Sequence, residues 1–153
     1  MNNLEKQNLY TEANAFYELA ECGRKNIPER KSIETYIPYI VNMTFAIELF
    51  LKLLLEDNGK TIGELKDIGH NLYSLYNALE DTQKKEIYQK FKRPLIYNIP
   101  EEINNIASAF PDWRYLVLNK ANNNSKEQCV KLCFIKELAE VLNELCQTVL
   151  KNG

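Results

Sequence analysis

From Phe45 to Leu55 the chain is apolar at every position except Glu48 and Lys52. A helix that is apolar all round sits at the centre of its bundle, or is also covered by a second subunit. The wider stretch 37–55 is the most hydrophobic of the chain, yet it carries Pro38, Asn42, Glu48 and Lys52. Charges at mid-span are expensive in lipid, so this stretch reads as a buried helix of a soluble protein with no membrane contact. At 153 residues, 45% hydrophobic and 26% charged, the chain suits a single globular domain, 1–153.

Elsewhere the apolar spacing is three and four, without alternation, so almost nothing reads as strand. A first helix is expected over 4–22, with Leu9, Ala13, Phe16, Tyr17 and Ala20 at helical intervals and Gly23 as its stop. A second is expected over 32–57, capped by Ser32, with Pro38 in its first turns or kinking it, and ended by Asn58-Gly59. A third starts at Gly69-His70-Asn71 and continues through Leu72, Leu75, Tyr76 and Leu79, and Asp81 or Thr82 caps a short fourth helix to Phe91. Pro94 and Pro100 bracket a loop, Pro100-Glu101-Glu102 reads as a helix first turn, and Pro111 interrupts after Phe110. Helix is expected again over 113–120, followed by a polar loop. The last helix is expected over 125–150, with a seam of Ile135, Leu138, Leu142, Leu145 and Val149 widened by Val130, Phe134 and Val141. The fold class is therefore all-α, a bundle of four to five main helices.

Nineteen basic against 21 acidic residues leave a net charge of −2, which gives no global attraction to phosphate. The densest basic group, Lys84, Lys85, Lys90, Lys92 and Arg93, reads as a solvated helix face, and no DNA-binding motif stands out. The polar start, 1–6, has no apolar core behind it, so no secretory signal is expected and the location is expected to be cytoplasmic. Cys22, Cys129, Cys133 and Cys146 form no CxxC pattern and are expected to be reduced, packed core thiols. Cys129 and Cys133 lie four apart and could share a zinc ion with His70 and Cys146, but the spacing fixes neither partner, and no metal or cofactor is expected.

The chain has one histidine, His70. Within one chain this excludes any site needing two imidazoles, and any triad or histidine general base has to use His70. There is no Gly-rich phosphate loop and no GxSxG. Glu48 and Lys52 are four apart in the favourable order for a helical ion pair, either as a narrow solvent-facing stripe or as a polar cluster with Arg114 or His70. His70 stands at a helix start, where an imidazole can cap backbone donors or serve a ligand. Trp113-Arg114-Tyr115 sets a guanidinium between two aromatics, suited to tying helices together or to holding a phosphate beside a stacked base.

Three motifs thus stand in order: Ala46-Ile47-Glu48-Leu49-Phe50-Leu51-Lys52-Leu53-Leu54-Leu55, Gly69-His70-Asn71-Leu72, and Phe110-Pro111-Asp112-Trp113-Arg114-Tyr115. The chain resembles a HEPN domain, the small helical module of prokaryotic defence, toxin–antitoxin and nucleotide-associated proteins. That resemblance implies an antiparallel bundle, a homodimer, and a working surface at or near the dimer interface. Many members are metal-independent ribonucleases that use Arg-x(4–6)-His on one helix. This chain departs from that pattern: Gly63, Glu64 and Leu65 stand where arginine would precede His70, and Asn119, Lys120 and Ala121 where histidine would follow Arg114. An asparagine at 119 cannot serve as a general base at neutral pH.

The function expected first is a non-catalytic homodimeric binding module that contacts RNA or a nucleotide in a toxin–antitoxin or phage-defence setting. Its polar cluster is expected to comprise Glu48, Lys52, His70, Trp113, Arg114 and Tyr115. The alternative is a divergent metal-independent ribonuclease, with His70 as acid/base and Arg114 stabilising charge. A third is an immunity- or antitoxin-type partner that binds another protein chain.

Overall fold

The computed structural model describes residues 3–27, 33–92, 96–113 and 125–152, with side chains over 3–27, 35–92, 96–107 and 132–152. All regular structure there is helical. Seven α-helices run α1 Asn3–Lys25, α2 Ile37–Asp57, α3 Ile62–Ile68, α4 Leu72–Asn77, α5 Asp81–Lys90, α6 Ile99–Trp113 and α7 Ser125–Asn152. A short 3-10 turn, Ile33–Tyr36, leads into α2.

The apolar helix is central. It packs chiefly on α1 and α7, with smaller contacts to α4 and α3. Met43, Ala46, Ile47, Phe50, Leu51, Leu53 and Leu55 are all fully buried and cover more than half of the helix circumference. The remaining stripe, Val41, Phe45, Leu49 and Lys52, is only partly covered within one copy of the chain. By length and composition α2 could cross a membrane, but most of it is buried inside the fold.

Most boundaries follow the expected signals. Pro38 falls in the first turn of α2, where its fixed φ costs no hydrogen bond, and the helix ends at Asn58 with Gly59 at φ +87°. Ser32 lies outside the described residues, and the residue preceding α2 is Tyr36, which makes no side-chain cap. Gly23 does not stop α1. The helix runs two residues further, and Asn26 closes it by donating from Nδ2 to the Cys22 carbonyl at 2.8 Å. The N-cap of α5 is Glu80 rather than Asp81 or Thr82. Pro111 likewise fails to interrupt α6, which continues to Trp113, because a proline there removes a single backbone donor near the end of the helix. Helix over 114–120 and the loop after it lie outside the described residues.

Sequence periodicity missed α3. Thr61 and Glu64 form a reciprocal cap in which the Glu64 N–H donates to Thr61 Oγ1 and the Thr61 N–H donates to Glu64 Oε2 at 2.8 Å. That hydrogen bonding holds the Glu64 carboxyl below its usual range. The helix is too short to show an apolar period, and Thr61-x-x-Glu64 was the signal that could have found it.

On α7, Phe134, Ile135, Leu138, Val141, Leu142 and Leu145 are buried as the seam requires, and Val149 is half-buried. The Val130 side chain is outside the described set. The cysteines divide: Cys146 is buried, with Sγ bonded to the Phe50 carbonyl at 3.5 Å, whereas Cys22 and Cys133 are exposed. The packed-thiol expectation therefore fails for those two, which sit on the outer faces of α1 and α7. Cys129 lies outside the described side chains.

Phe50 joins α2 to α1 through Tyr10, ring centroid to ring centroid at 6.1 Å, and is fully buried. Truncating it leaves a large cavity in a close-packed core. Phe50→Ala is expected to lower unfolding free energy by about 3–5 kcal/mol, read as a drop in the urea midpoint at unchanged slope.

Candidate functional site

Glu48 lies on α2 at the border between its buried face and its partly open stripe, and its side chain is 9% exposed. A carboxylate in such a place needs donors, because an unpaired buried charge costs several kcal/mol. It has two. Lys52, one turn later, donates from Nζ to Glu48 Oε1 at 2.8 Å. His70 bonds the same oxygen through Nδ1 at 2.7 Å. Of the two arrangements open to Glu48 and Lys52, the chain adopts the cluster with His70.

The backbone that brings His70 there is set by Gly69. This residue ends α3 at φ +79°, a conformation that L side chains rarely adopt, and its N–H donates to the Leu65 carbonyl at 3.2 Å. The chain then turns into α4. Asn71 caps that helix, its Oδ1 accepting from the Ser74 N–H at 2.9 Å. The capping role considered for His70 therefore belongs to its neighbour, and the imidazole is directed across to α2 instead.

His70 is not part of the core. Its side chain is 84% exposed, in contrast to the carboxylate it meets. A carboxylate oxygen that already accepts from an ammonium only accepts, so Nδ1 carries the proton of a neutral ring and Nε2 is left with its lone pair. The pair thus fixes both tautomer and ring orientation.

The ring stands at the edge of a cavity of about 240 Å3, lined by Thr44, Phe45, Glu48, His70, Asn71, Leu72 and Ala107. Phe45, Leu72 and Ala107 supply apolar walls from three different helices, α2, α4 and α6. The Thr44 hydroxyl donates back to the Ile40 carbonyl at 2.9 Å. The polar side chains left for an occupant are those of His70, Asn71 and Glu48.

The sequence-derived cluster is thereby assembled in part. Glu48, Lys52 and His70 meet. Trp113 is the last residue of α6, and its side chain, together with Arg114 and Tyr115, lies outside the described residues. Among the described residues no group of three or more His, Cys, Asp or Glu side chains is placed to hold a metal ion. No family model, curated protein or solved structure matches the chain.

With one histidine in the chain, its ring nitrogens give an unambiguous NMR signature. Above the imidazole titration, long-range 1H–15N correlation is expected to show Nδ1 protonated and Nε2 bare. Glu48→Ala is expected to remove that preference and, by leaving Lys52 without its carboxylate, to cost about 1–3 kcal/mol of stability. An Nε2-protonated ring in the unaltered protein would contradict the assignment.

Proposed function

We propose that the chain is a HEPN-like binding module that takes a nucleotide, free or as a unit of RNA, in the cavity beside His70. The observation that carries this is the pairing of an exposed imidazole with a buried carboxylate at the edge of an apolar cavity. At so exposed a position a hydrogen bond adds only tenths of a kcal/mol to folding, because water competes for both partners. Lys52 already supplies Glu48 with a charge partner. What the contact adds is a fixed direction for Nε2.

The size and lining of the cavity suit this class. At about 240 Å3 it is smaller than the sites of drug-sized ligands, which begin near 300 Å3, and takes the base rather than a whole nucleotide. A base rests against Phe45 and Leu72, while the imidazole contacts a ribose hydroxyl as acceptor or, when protonated, a phosphate as donor. Further support is that two of the three HEPN-like motifs converge here: Glu48 and Lys52 from the first, His70 from the second.

Titration with AMP and with a short single-stranded RNA, followed on the His70 ring signals, is expected to shift them saturably. His70→Ala is expected to weaken binding about three- to tenfold, the worth of one hydrogen bond. Unmoved His70 signals at millimolar AMP and at excess RNA would refute the reading.

The same Glu48–His70 contact favours a second reading, a metal-independent ribonuclease in which Nε2 is the general base and Arg114 stabilises charge on phosphorus. It requires RNA cleavage in EDTA that His70→Ala abolishes, and intact RNA leaves the binding module alone. In either reading the module works as a homodimer, on the strength of the family resemblance. The apolar stripe of α2 that one copy leaves partly open, Val41, Phe45 and Leu49, supplies a pairing surface. Sedimentation at micromolar concentration is expected to give twice the monomer mass, and a monomer would remove this part.

A further inference from the structure

A second cleft lies where the end of α1, the start of α2 and α7 converge. Its volume is about 520 Å3, within the usual range of small-molecule sites, and it shares no lining residue with the His70 cavity. Two residues of its wall each carry a buried polar atom with no hydrogen-bond partner: the hydroxyl of Tyr39 and Oε1 of Glu21. Tyr39 is only 3% exposed. An unmet buried hydroxyl and an unmet carboxylate oxygen are each costly, and native folds rarely keep such groups without use.

The orphan pair is one donor and one acceptor. A hydroxyl is the small group that answers both, accepting from the Tyr39 O–H and donating to Glu21 Oε1. The other charged groups of the lining are all cationic. Arg24, Lys25 and Lys136 border the cleft, and the Arg24 guanidinium lies 6.0 Å from the centre of the Tyr39 ring. Lys136 is engaged mainly with Glu140, at 3.2 Å, and stands 3.9 Å from the other Glu21 oxygen, so Oε1 stays unmet. Burial, with Glu21 nearby, pushes the Tyr39 hydroxyl well above its ordinary pKa, so it remains a donor at any physiological pH.

We propose that this cleft is a second ligand site, for a sugar phosphate, in which a sugar hydroxyl bridges Tyr39 and Glu21 and the phosphate lies among Arg24, Lys25 and Lys136. A free sugar phosphate and the ribose phosphate of a nucleotide share this chemistry. The site does not depend on the function assigned to the His70 cavity.

Calorimetry on the full chain with ribose 5-phosphate, AMP, ribose and inorganic phosphate tests it. One equivalent of ribose 5-phosphate is expected to bind, AMP is expected to bind here in addition to the His70 cavity, and ribose and phosphate alone at least tenfold more weakly. AMP protecting Cys133 at lower concentration than ribose 5-phosphate names a nucleotide as the source, and the reverse order names a free sugar phosphate. Tyr39→Phe is expected to lower affinity about three- to tenfold while leaving the melting temperature unchanged or raised, since that hydroxyl bonds nothing in the fold. Arg24→Ala is expected to weaken ribose 5-phosphate binding as well, and His70→Ala to leave ribose 5-phosphate binding unchanged. Cys133, exposed on the same wall, is expected to be protected from alkylation by bound ligand. Absence of binding at millimolar ligand, phosphate alone binding as tightly as ribose 5-phosphate, an unaltered affinity in Tyr39→Phe, or an unprotected Cys133 each overturns the proposal.

Discussion

A helix buried over most of its circumference imposes its terms on everything around it. α2 is packed chiefly by α1 and α7, with smaller contacts from α4 and α3, and only the stripe of Val41, Phe45, Leu49 and Lys52 is partly open. Any polar group on its covered faces must therefore find a partner within the fold or within a cavity that reaches it. Thr44 turns back on its own helix and donates to the Ile40 carbonyl. Glu56, near the end, meets Lys6 of α1 at 3.2 Å, and Lys6 also bonds Asp57 at 2.9 Å. These carboxylates, with the Asp57 hydrogen bond foremost, hold the Lys6 ammonium above its usual pKa. Because the folded value is the higher one, that tie is in full force below pH 10.5 and fades only as the pH climbs past it.

Glu48 is the case with consequences. Lys52 comes from the same helix and needs no tertiary arrangement. His70 has to be delivered, and the α3–α4 corner delivers it: Thr61 and Glu64 start α3, Gly69 ends it, and Asn71 starts α4 in the next turn. Each of these is a local device of a few residues. Together they place an exposed ring against a buried carboxylate, so a rigid core helix sets the angle of a side chain that is itself in solvent. Preorganisation of this kind serves recognition whether or not chemistry follows.

The long elements were legible because their signals are redundant. The α7 seam, 135–149, repeats over about four turns, and α2 carries so many apolar residues that no other placement suits it. Single punctuation residues were less informative. Gly23 and Pro111 each have a breaking tendency, but both sit one to two residues from a helix end, where continued packing outweighs a small local penalty. Cysteine was misread at Cys22 and Cys133 because a small side chain imposes no burial of its own. For the site, the i,i+4 pair was readable and its union with His70 was one of two stated arrangements. The choice between them depended on the α3 corner, which has no period to detect.

Tyr39 was not legible at all. Its aromatic ring is what a core helix is expected to carry, and no spacing rule marks a hydroxyl that will lack a partner. That lack emerges only when the other buried polar groups of α2 are followed to theirs: Thr44 to a carbonyl, Glu48 to Lys52 and His70, Glu56 to Lys6. Against that record the unmet hydroxyl stands out. It stands out further because the nearest carboxylate, Glu21, has an unmet oxygen on the same cleft. A core that satisfies its polar groups elsewhere and leaves a donor and an acceptor unmet on two residues lining one cavity has the form of a binding surface. Glu48 and Tyr39 then follow from one cause: on the covered faces of a core helix, polar chemistry lies where a cavity reaches it.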